Sequence, residues 1–416
     1  MTFKLLSPEE TAAIDYLRSP VAIRDRCGQL FDLACADQLH YFRCDLSQLD
    51  LVADYVLQVI RSEYPDHNIP FHSRWRHFEV GGLSRLASLE QALAALTPLE
   101  KARAKFDLAI VSVLLDAGAG DRWQYQEPGT GQVWQRSEGL AIASFHAFCQ
   151  GMFSSDPDTP LQADAIGLQA ITATTLSDSF QCRPENPLVG MEGRLELLQR
   201  LGSVLQQNPR LFGSQPPRPG YLVDYLLEQT HQEQLDATIV LRAVLEGLGD
   251  IWPGRLTLAG VNLGDVWEHP ALPRDRPYSQ LVPFHKLSQW LTYSLLEPMQ
   301  AMQLKITGLD ALTGLPEYRN GGLCVDLGLL QVKDPAILQQ PLLPGATAIV
   351  EWRALTVILL DRIAETVRQR LNRSAADLPL VKVLQGGTWT AGRRIAAERR
   401  AGGQPPIQIK SDGTVF

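Results

Sequence analysis

The feature that most constrains this chain is an apolar spacing of three and four residues that recurs along most of its length. Between Glu351 and Leu371 the residues Trp352, Leu355, Ile358, Leu359, Ile363 and Val367 mostly fall at such steps. That spacing gathers side chains on one face of an α-helix. The segments Gly193–Leu205 and Lys286–Leu296 carry the same pattern, and helices are also expected at Ser7–Leu17, Val21–Cys35, Leu51–Tyr64, Leu83–Leu96, Pro98–Ala117 and Asp236–Gly247. Strand-like alternation is confined to Trp123–Trp134, a hairpin pattern around Pro-Gly-Thr-Gly, and to Arg255–Asn262. The expected fold class is therefore mostly α with few short strands.

A chain of 416 residues exceeds the usual size of one domain. The Pro- and Gly-rich stretch Phe212–Gly220 is the best internal boundary, giving helical regions 1–211 and 221–416 that are expected to form one compact unit. A second break falls at His269–Pro277, and Ala401–Phe416, with its Gly-Gly and Pro-Pro pairs, reads as loop. Net charge is −8 without a long basic run, which disfavours unaided binding of nucleic acid or an anionic membrane. No uninterrupted apolar run reaches the ~18 residues of a membrane span. The opening MTFKLLSPEE has acids where a signal peptide needs apolar residues, so a cytoplasmic protein is expected. Cys27, Cys35, Cys44, Cys149, Cys182 and Cys324 are scattered and never form C-x-x-C, so reduced thiols are expected.

Five clusters could carry chemistry. In Ile69–Gly82 (IPFHSRWRHFEVGG) His72, Arg74, Trp75, Arg76, His77 and Glu79 crowd together. Paired guanidiniums suit a phosphate or carboxylate, although ion pairs in a solvated loop would look alike. The five-residue spacing of His72 and His77 is a poor helical metal pair, and no metal or cofactor is expected. Asp116 closes an apolar helix before Ala-Gly-Ala-Gly, where an acid opposes the helix dipole; a plain helix stop reads the same way. In Trp252–Pro270, Asp265, Trp267, Glu268 and His269 could line a pocket for a planar polar group, or Asp265 could simply cap a helix. In Val282–Glu297, His285 precedes a helix on which Lys286, Gln289, Tyr293 and Glu297 form a polar stripe; a solvated face would also explain it.

The fifth cluster is TGLPEYRNGGLCVDLG. Glu317, Tyr318, Arg319 and Asn320 precede Gly-Gly at the start of a helix, where backbone N–H groups are unpaired. A partly buried carboxylate oriented by Arg and Tyr suits a cationic transition state. A structural Glu–Arg pair closing a turn is the alternative. No G-x-S-x-G elbow, H-E-x-x-H or dinucleotide fingerprint is present.

With these stretches in order, together with VSVLLDAGAGDRWQY, RSEGLAIASFHAF, NPLVGMEGR, PGRLTLAGVNLGDVWEHP, VPFHKLSQWLTYSLLEP, VEWRALTVILLDRIA, GGTWTAGR and SDGTVF, nearly the whole chain resembles the uracil-catabolism proteins of the URC pathway. The resemblance implies a role in handling a ribosylurea, or its phosphate, that releases urea. A second, shorter likeness joins FHKLSQWLTYSLLE and LTGLPEYRNGGLCVDLG to the queuosine-salvage N-glycohydrolases. That likeness implies helical subdomains around a central cleft, with a core like that of helix-hairpin-helix DNA glycosylases. It puts Glu317, Tyr318 and Arg319 in register with an acidic residue and Tyr-Arg, and places a second acid of that family on or near Ser294. Glu297, Asp265 and Asp116 are then candidate substitutes.

The combined expectation is an N-glycosidase with Glu317, Tyr318, Arg319 and Asp265 in catalytic roles. His72, Arg74, Trp75, Arg76, Asp116, Trp267, His285, Lys286, Gln289 and Asn320 would bind a small nucleoside- or nucleotide-derived substrate, with Arg74, Arg76 or Lys286 on a 5′-phosphate. Other enzymes of the same pathway are the expected protein partners. The rival readings are an amidohydrolase acting on the ureido group, a uracil phosphoribosyltransferase, and a non-catalytic partner that delivers an unstable intermediate. The transferase would need a paired-acid loop after a buried strand, which the sequence lacks.

Overall fold

The longest apolar repeat becomes the longest helix. In the computed structural model, which describes residues 6–116, 118–252 and 256–410, Thr347–Leu371 is one continuous α-helix. Ile349, Trp352, Leu355, Leu359, Leu360, Ile363 and Val367 are among its buried residues. Arg368 and Arg370 sit in its last turn, where cations offset the negative end of the helix dipole, and Asn372 ends it in the left-handed region at φ 50°. The helices Pro20–Cys35 and Leu49–Glu63 pack against it, each with its own buried apolar face.

The described residues fall into two compact units, each assembled from separate stretches of chain. The first takes residues 6–72, 256–289 and 308–410, and the second takes residues 73–252 and 290–307. The stretch Phe212–Gly220 lies inside the second unit. The helix Lys286–Ala301 starts in one unit and ends in the other.

The fold is mostly helical, and its strands are short pairs. In the first unit Phe42–Cys44 pairs antiparallel with Leu330–Val332, and Val266–Glu268 pairs antiparallel with Leu281–Pro283. Val266 and Leu281 pack with Ile14 and Leu17 of the helix Pro8–Leu17. That helix begins in a capping box, Ser7 and Glu10 each accepting from the other's backbone N–H. In the expected strand region Arg255–Asn262, Thr257–Leu258 pairs with Val261–Asn262; Arg255 lies outside the described residues.

In the second unit every residue of Pro98–Leu114 from Phe106 to Leu114 is buried, as befits a helix surrounded on all sides. Asp107 within it is matched by Arg218 at 2.7 Å and by the Gly220 N–H at 2.6 Å. The expected hairpin forms between Gln124–Gln126 and Val133–Gln135. Expected and observed helix ends differ by a few residues at most sites. Leu83–Leu96 shrinks to Arg85–Ala92, because Gly81 and Gly82 at positive φ hold the chain in a turn ahead of it. The helix Pro98–Leu114 stops before the expected end at Ala117, which lies outside the described residues. Residues 401–403 form a short 3-10 turn, and residues 411–416 lie outside the described residues. Among the described residues no helix is long and apolar enough to cross a membrane.

Candidate functional site

The helix Tyr318–Asp326 is capped by Glu317, and the capping is unusual. Ser, Thr, Asp and Asn are the common N-caps, but here the longer side chain curls back so that Oε2 accepts from Arg319 N at 2.9 Å and Oε1 from Asn320 N at 2.7 Å. Each carboxylate oxygen thus holds one backbone N–H and keeps lone-pair capacity for another partner. Glu317 is buried. Burial pushes its pKa up, opposed by the two backbone N–H groups and by the nearby charges of Lys286 and Arg319.

Two contacts fix this turn. Asn320 is fully buried and donates Nδ2 to Leu315 O at 3.0 Å. Gln289 is buried in the helix that starts at Lys286; its Oε1 accepts from Thr313 N at 2.8 Å, and its Nε2 donates to the Thr313 hydroxyl. A glycine sets the close approach of the neighbouring helix Trp389–Arg399, since a Cβ on Gly392 would lie 2.2 Å from Arg319 O.

Asp265 places Lys286. Its Oδ2 accepts from the Lys286 backbone N–H at 3.0 Å, at the start of the helix Lys286–Ala301. The same carboxylate takes both Nη atoms of Arg353 at 2.8 and 2.7 Å and Trp267 Nε1 at 2.7 Å. The buried Arg353 guanidinium holds Asp265 well below the usual carboxylate range despite its burial. His285, at φ 48°, faces Leu17 O through Nε2 at 2.8 Å. A carbonyl only accepts, so Nε2 carries the proton. Burial lowers its pKa, and the ring ties the end of the first helix to this segment.

His72 stands beside the same group. Burial takes its pKa down to about 4, and the Lys286 charge acts in the same direction. Its Nδ1 lies 2.9 Å from Gln385 Oε1, while Gln385 Nε2 donates to the Tyr64 hydroxyl at 3.1 Å. Since the Gln385 oxygen can only accept, Nδ1 carries the His72 proton and Nε2 is left as an acceptor. Trp389, half-buried, lies 5.7 Å from the His72 ring. Arg319 is over the same indole at 5.7 Å, and Arg393 is 4.9 Å from it.

The first unit therefore gathers His72, Lys286, Glu317, Tyr318 and Arg319, with Asp265, His285, Gln289 and Asn320 as their supports. Sequence reasoning did not place Tyr64, Gln385, Trp389 or Arg393 with them. The available signal was Gly386-Gly387 in an otherwise helical stretch. Residues Leu384–Thr388 form a π-helical turn, a bulge often found at functional sites.

Arg74, Trp75, Arg76 and Asp116 belong to the second unit. Arg74 is fully buried, with Nη1 2.8 Å from Asp116 Oδ1 and Nε 2.7 Å from the Ser112 hydroxyl. Ser137 also donates to Asp116 at 2.7 Å. Trp75 Nε1 donates to Ser294 O at 2.7 Å, and the Ser294 hydroxyl accepts from Arg74 N at 2.9 Å. Arg76 bridges Glu79 at 2.7 Å and Glu297 at 3.0 Å, and Ser73 donates to Glu297, whose pKa burial raises. Among the described residues no group of His, Cys, Asp and Glu is arranged to hold a metal ion.

Comparison with known proteins adds a family and two relatives. A family model described as "Protein of unknown function (DUF1688)" matches residues 16–416. The chain is 39% identical over 437 residues to "Uracil catabolism protein 4" of Lachancea kluyveri, covering 97% of this chain and 99% of that protein. It is also 39% identical over 414 residues to "Protein urg3" of Schizosaccharomyces pombe, covering 98% of this chain and 100% of the relative.

Proposed function

We propose that this chain, which belongs to the DUF1688 family, acts in uracil catabolism by hydrolysing the N-glycosidic bond of a ribosylurea-type intermediate. The pathway assignment is supported by the near-full-length relative named as a uracil catabolism protein. The reaction assignment rests on one observation: Glu317 is a buried carboxylate fixed by two backbone N–H groups, in reach of the charges of Lys286 and Arg319.

In the proposed reaction the bond between C1′ and the ureido nitrogen breaks, and its electron pair leaves with the nitrogen. The sugar develops oxocarbenium character that an adjacent carboxylate stabilises. Glu317 supplies that carboxylate and takes a proton from the water that adds to C1′; passing that proton on to the departing nitrogen completes urea and restores the carboxylate. A carboxyl with an upward-shifted pKa is a stronger base than an exposed one. Tyr318 orients the ureido carbonyl. Asp265, already holding Arg353, Trp267 and the Lys286 backbone, is a positioning residue in this scheme.

The test is to incubate the pure protein with ribosylurea and with its 5′-phosphate, then assay urea and reducing sugar. Release of both in equal amounts is expected. Ammonia without urea would replace this reading with an amidohydrolase acting on the ureido group. No product from either compound would favour a binding partner without catalysis.

A further inference from the structure

Arg319 is an unusual buried cation. It is only 8% exposed, and buried charges are ordinarily paired. Among the described residues no carboxylate lies within ion-pair distance of its guanidinium and no oxygen accepts a hydrogen bond from it; its contacts are the Tyr318 ring at 5.1 Å and the Trp389 ring at 5.7 Å. Glu317, the acid that its charge reaches, already holds a backbone N–H on each oxygen. Lys286 acts on the same carboxylate, and Arg393 approaches the same indole at 4.9 Å. Arg319 and Arg393 thus share one half-buried indole, and Arg319 and Lys286 act on one carboxylate.

We infer that Arg319, with Lys286 and Arg393, binds a phosphate monoester on the sugar of the substrate, so that the preferred substrate is the phosphorylated compound. A guanidinium fork fits the oxygens of a phosphate in two parallel bonds. In this assignment the cations meet the phosphate charge, while Glu317 meets the positive charge that develops at C1′. The two arginines first suspected for this task, Arg74 and Arg76, are instead engaged by Asp116, Glu79 and Glu297. This inference names the substrate class of the site proposed above and rests on that reading for the identity of the sugar.

The experiment is calorimetric titration of the full-length protein with ribose 5-phosphate, with ribose, and with inorganic phosphate. Ribose 5-phosphate is expected to bind at least tenfold more tightly than either of the others. Arg319→Gln and the exposed Arg393→Gln are each expected to weaken ribose 5-phosphate roughly tenfold or more, the scale of one charge-assisted hydrogen bond, and to leave ribose unchanged. Arg319→Lys should recover part of the loss. Should Arg319→Gln fail to fold, Arg393→Gln carries the test alone. Equal affinity for ribose and ribose 5-phosphate would overturn the inference, as would equal losses for both ligands in the variants. The two readings fail separately. Urea released equally well from both forms of ribosylurea would remove the phosphate site and keep glycosidic cleavage; ribose 5-phosphate bound with no urea released would do the reverse.

Discussion

Asp265 and Arg353, 88 residues apart in sequence, meet through two parallel hydrogen bonds of 2.8 and 2.7 Å. The pair does two things at once. It neutralises a guanidinium that is 2% exposed, and it aims the remaining capacity of the carboxylate at the Lys286 backbone N–H. A residue that sequence alone suggests as a catalytic acid is thereby a strut under the helix that carries Lys286.

Replacing that strut should be costly. Asp265→Ala leaves Arg353 buried without its partner, and breaking a buried pair from one side costs about 3–5 kcal/mol. Thermal or urea unfolding reads this directly. The pKa of Asp265 is depressed in the folded state from an ordinary 3.8, so the unfolded chain binds the proton more readily. The contribution is fully present above pH 3.8 and is lost as pH falls below it. A variant whose stability matched wild type at pH 7 would show that the pair is not needed.

His72 predicts a second pH dependence, at a higher range. Its pKa falls from 6.5 to about 4 on folding. Protons therefore favour the unfolded chain between those values, and stability is lost as pH drops from about 6.5 toward 4, by about 2–4 kcal/mol from this group. His72→Gln cannot titrate and should flatten that part of the profile. An unchanged slope between pH 6.5 and 4 would argue against a buried neutral imidazole.

Gly392 gives a steric test. A methyl group there would meet Arg319 O at 2.2 Å, and that oxygen is rigid backbone beside the Glu317 cap. Gly392→Ala should destabilise by about 1–3 kcal/mol through forced displacement and should lower turnover in the protein that still folds. Wild-type stability and turnover together would mean that the two helices can separate without consequence.

Arg74 should behave as a structural residue. Arg74→Gln removes a fully buried cation from Asp116, Ser112 and Ser137. A loss of about 3–5 kcal/mol is expected, seen as a clear drop in unfolding temperature. A variant as stable as wild type that bound ribose 5-phosphate more weakly would return Arg74 to the ligand.

These cases mark what can be read from the chain before its structure. The apolar spacing of Trp352, Leu355, Leu359, Ile363 and Val367 located the longest helix because helical packing repeats locally. The helix expected from Ser7 was visible for the same reason, whereas the helix expected to start at Asn320-Gly321-Gly322 begins earlier, at Tyr318, because Glu317 caps it. The pairings of Arg74 with Asp116 and of Arg353 with Asp265 are set by tertiary contacts, and no local pattern separates such a committed arginine from one that awaits a ligand. Trp389 and Gln385 reach His72 from a distant stretch of chain through a π-helical turn. The adjacent glycines are the only local trace of that turn.

The most direct test of the central claim compares wild type with Glu317→Gln. Glutamine keeps the size of the side chain and one oxygen for a backbone N–H, but not the negative charge. Urea release from ribosylurea or its 5′-phosphate should be measured alongside the unfolding temperature. The account predicts measurable release by wild type, a loss of at least about a hundredfold in Glu317→Gln, on the scale of losing one catalytic group, and a folded variant whose stability falls by no more than about 2 kcal/mol. Equal turnover by the two proteins, with both folded, would contradict it.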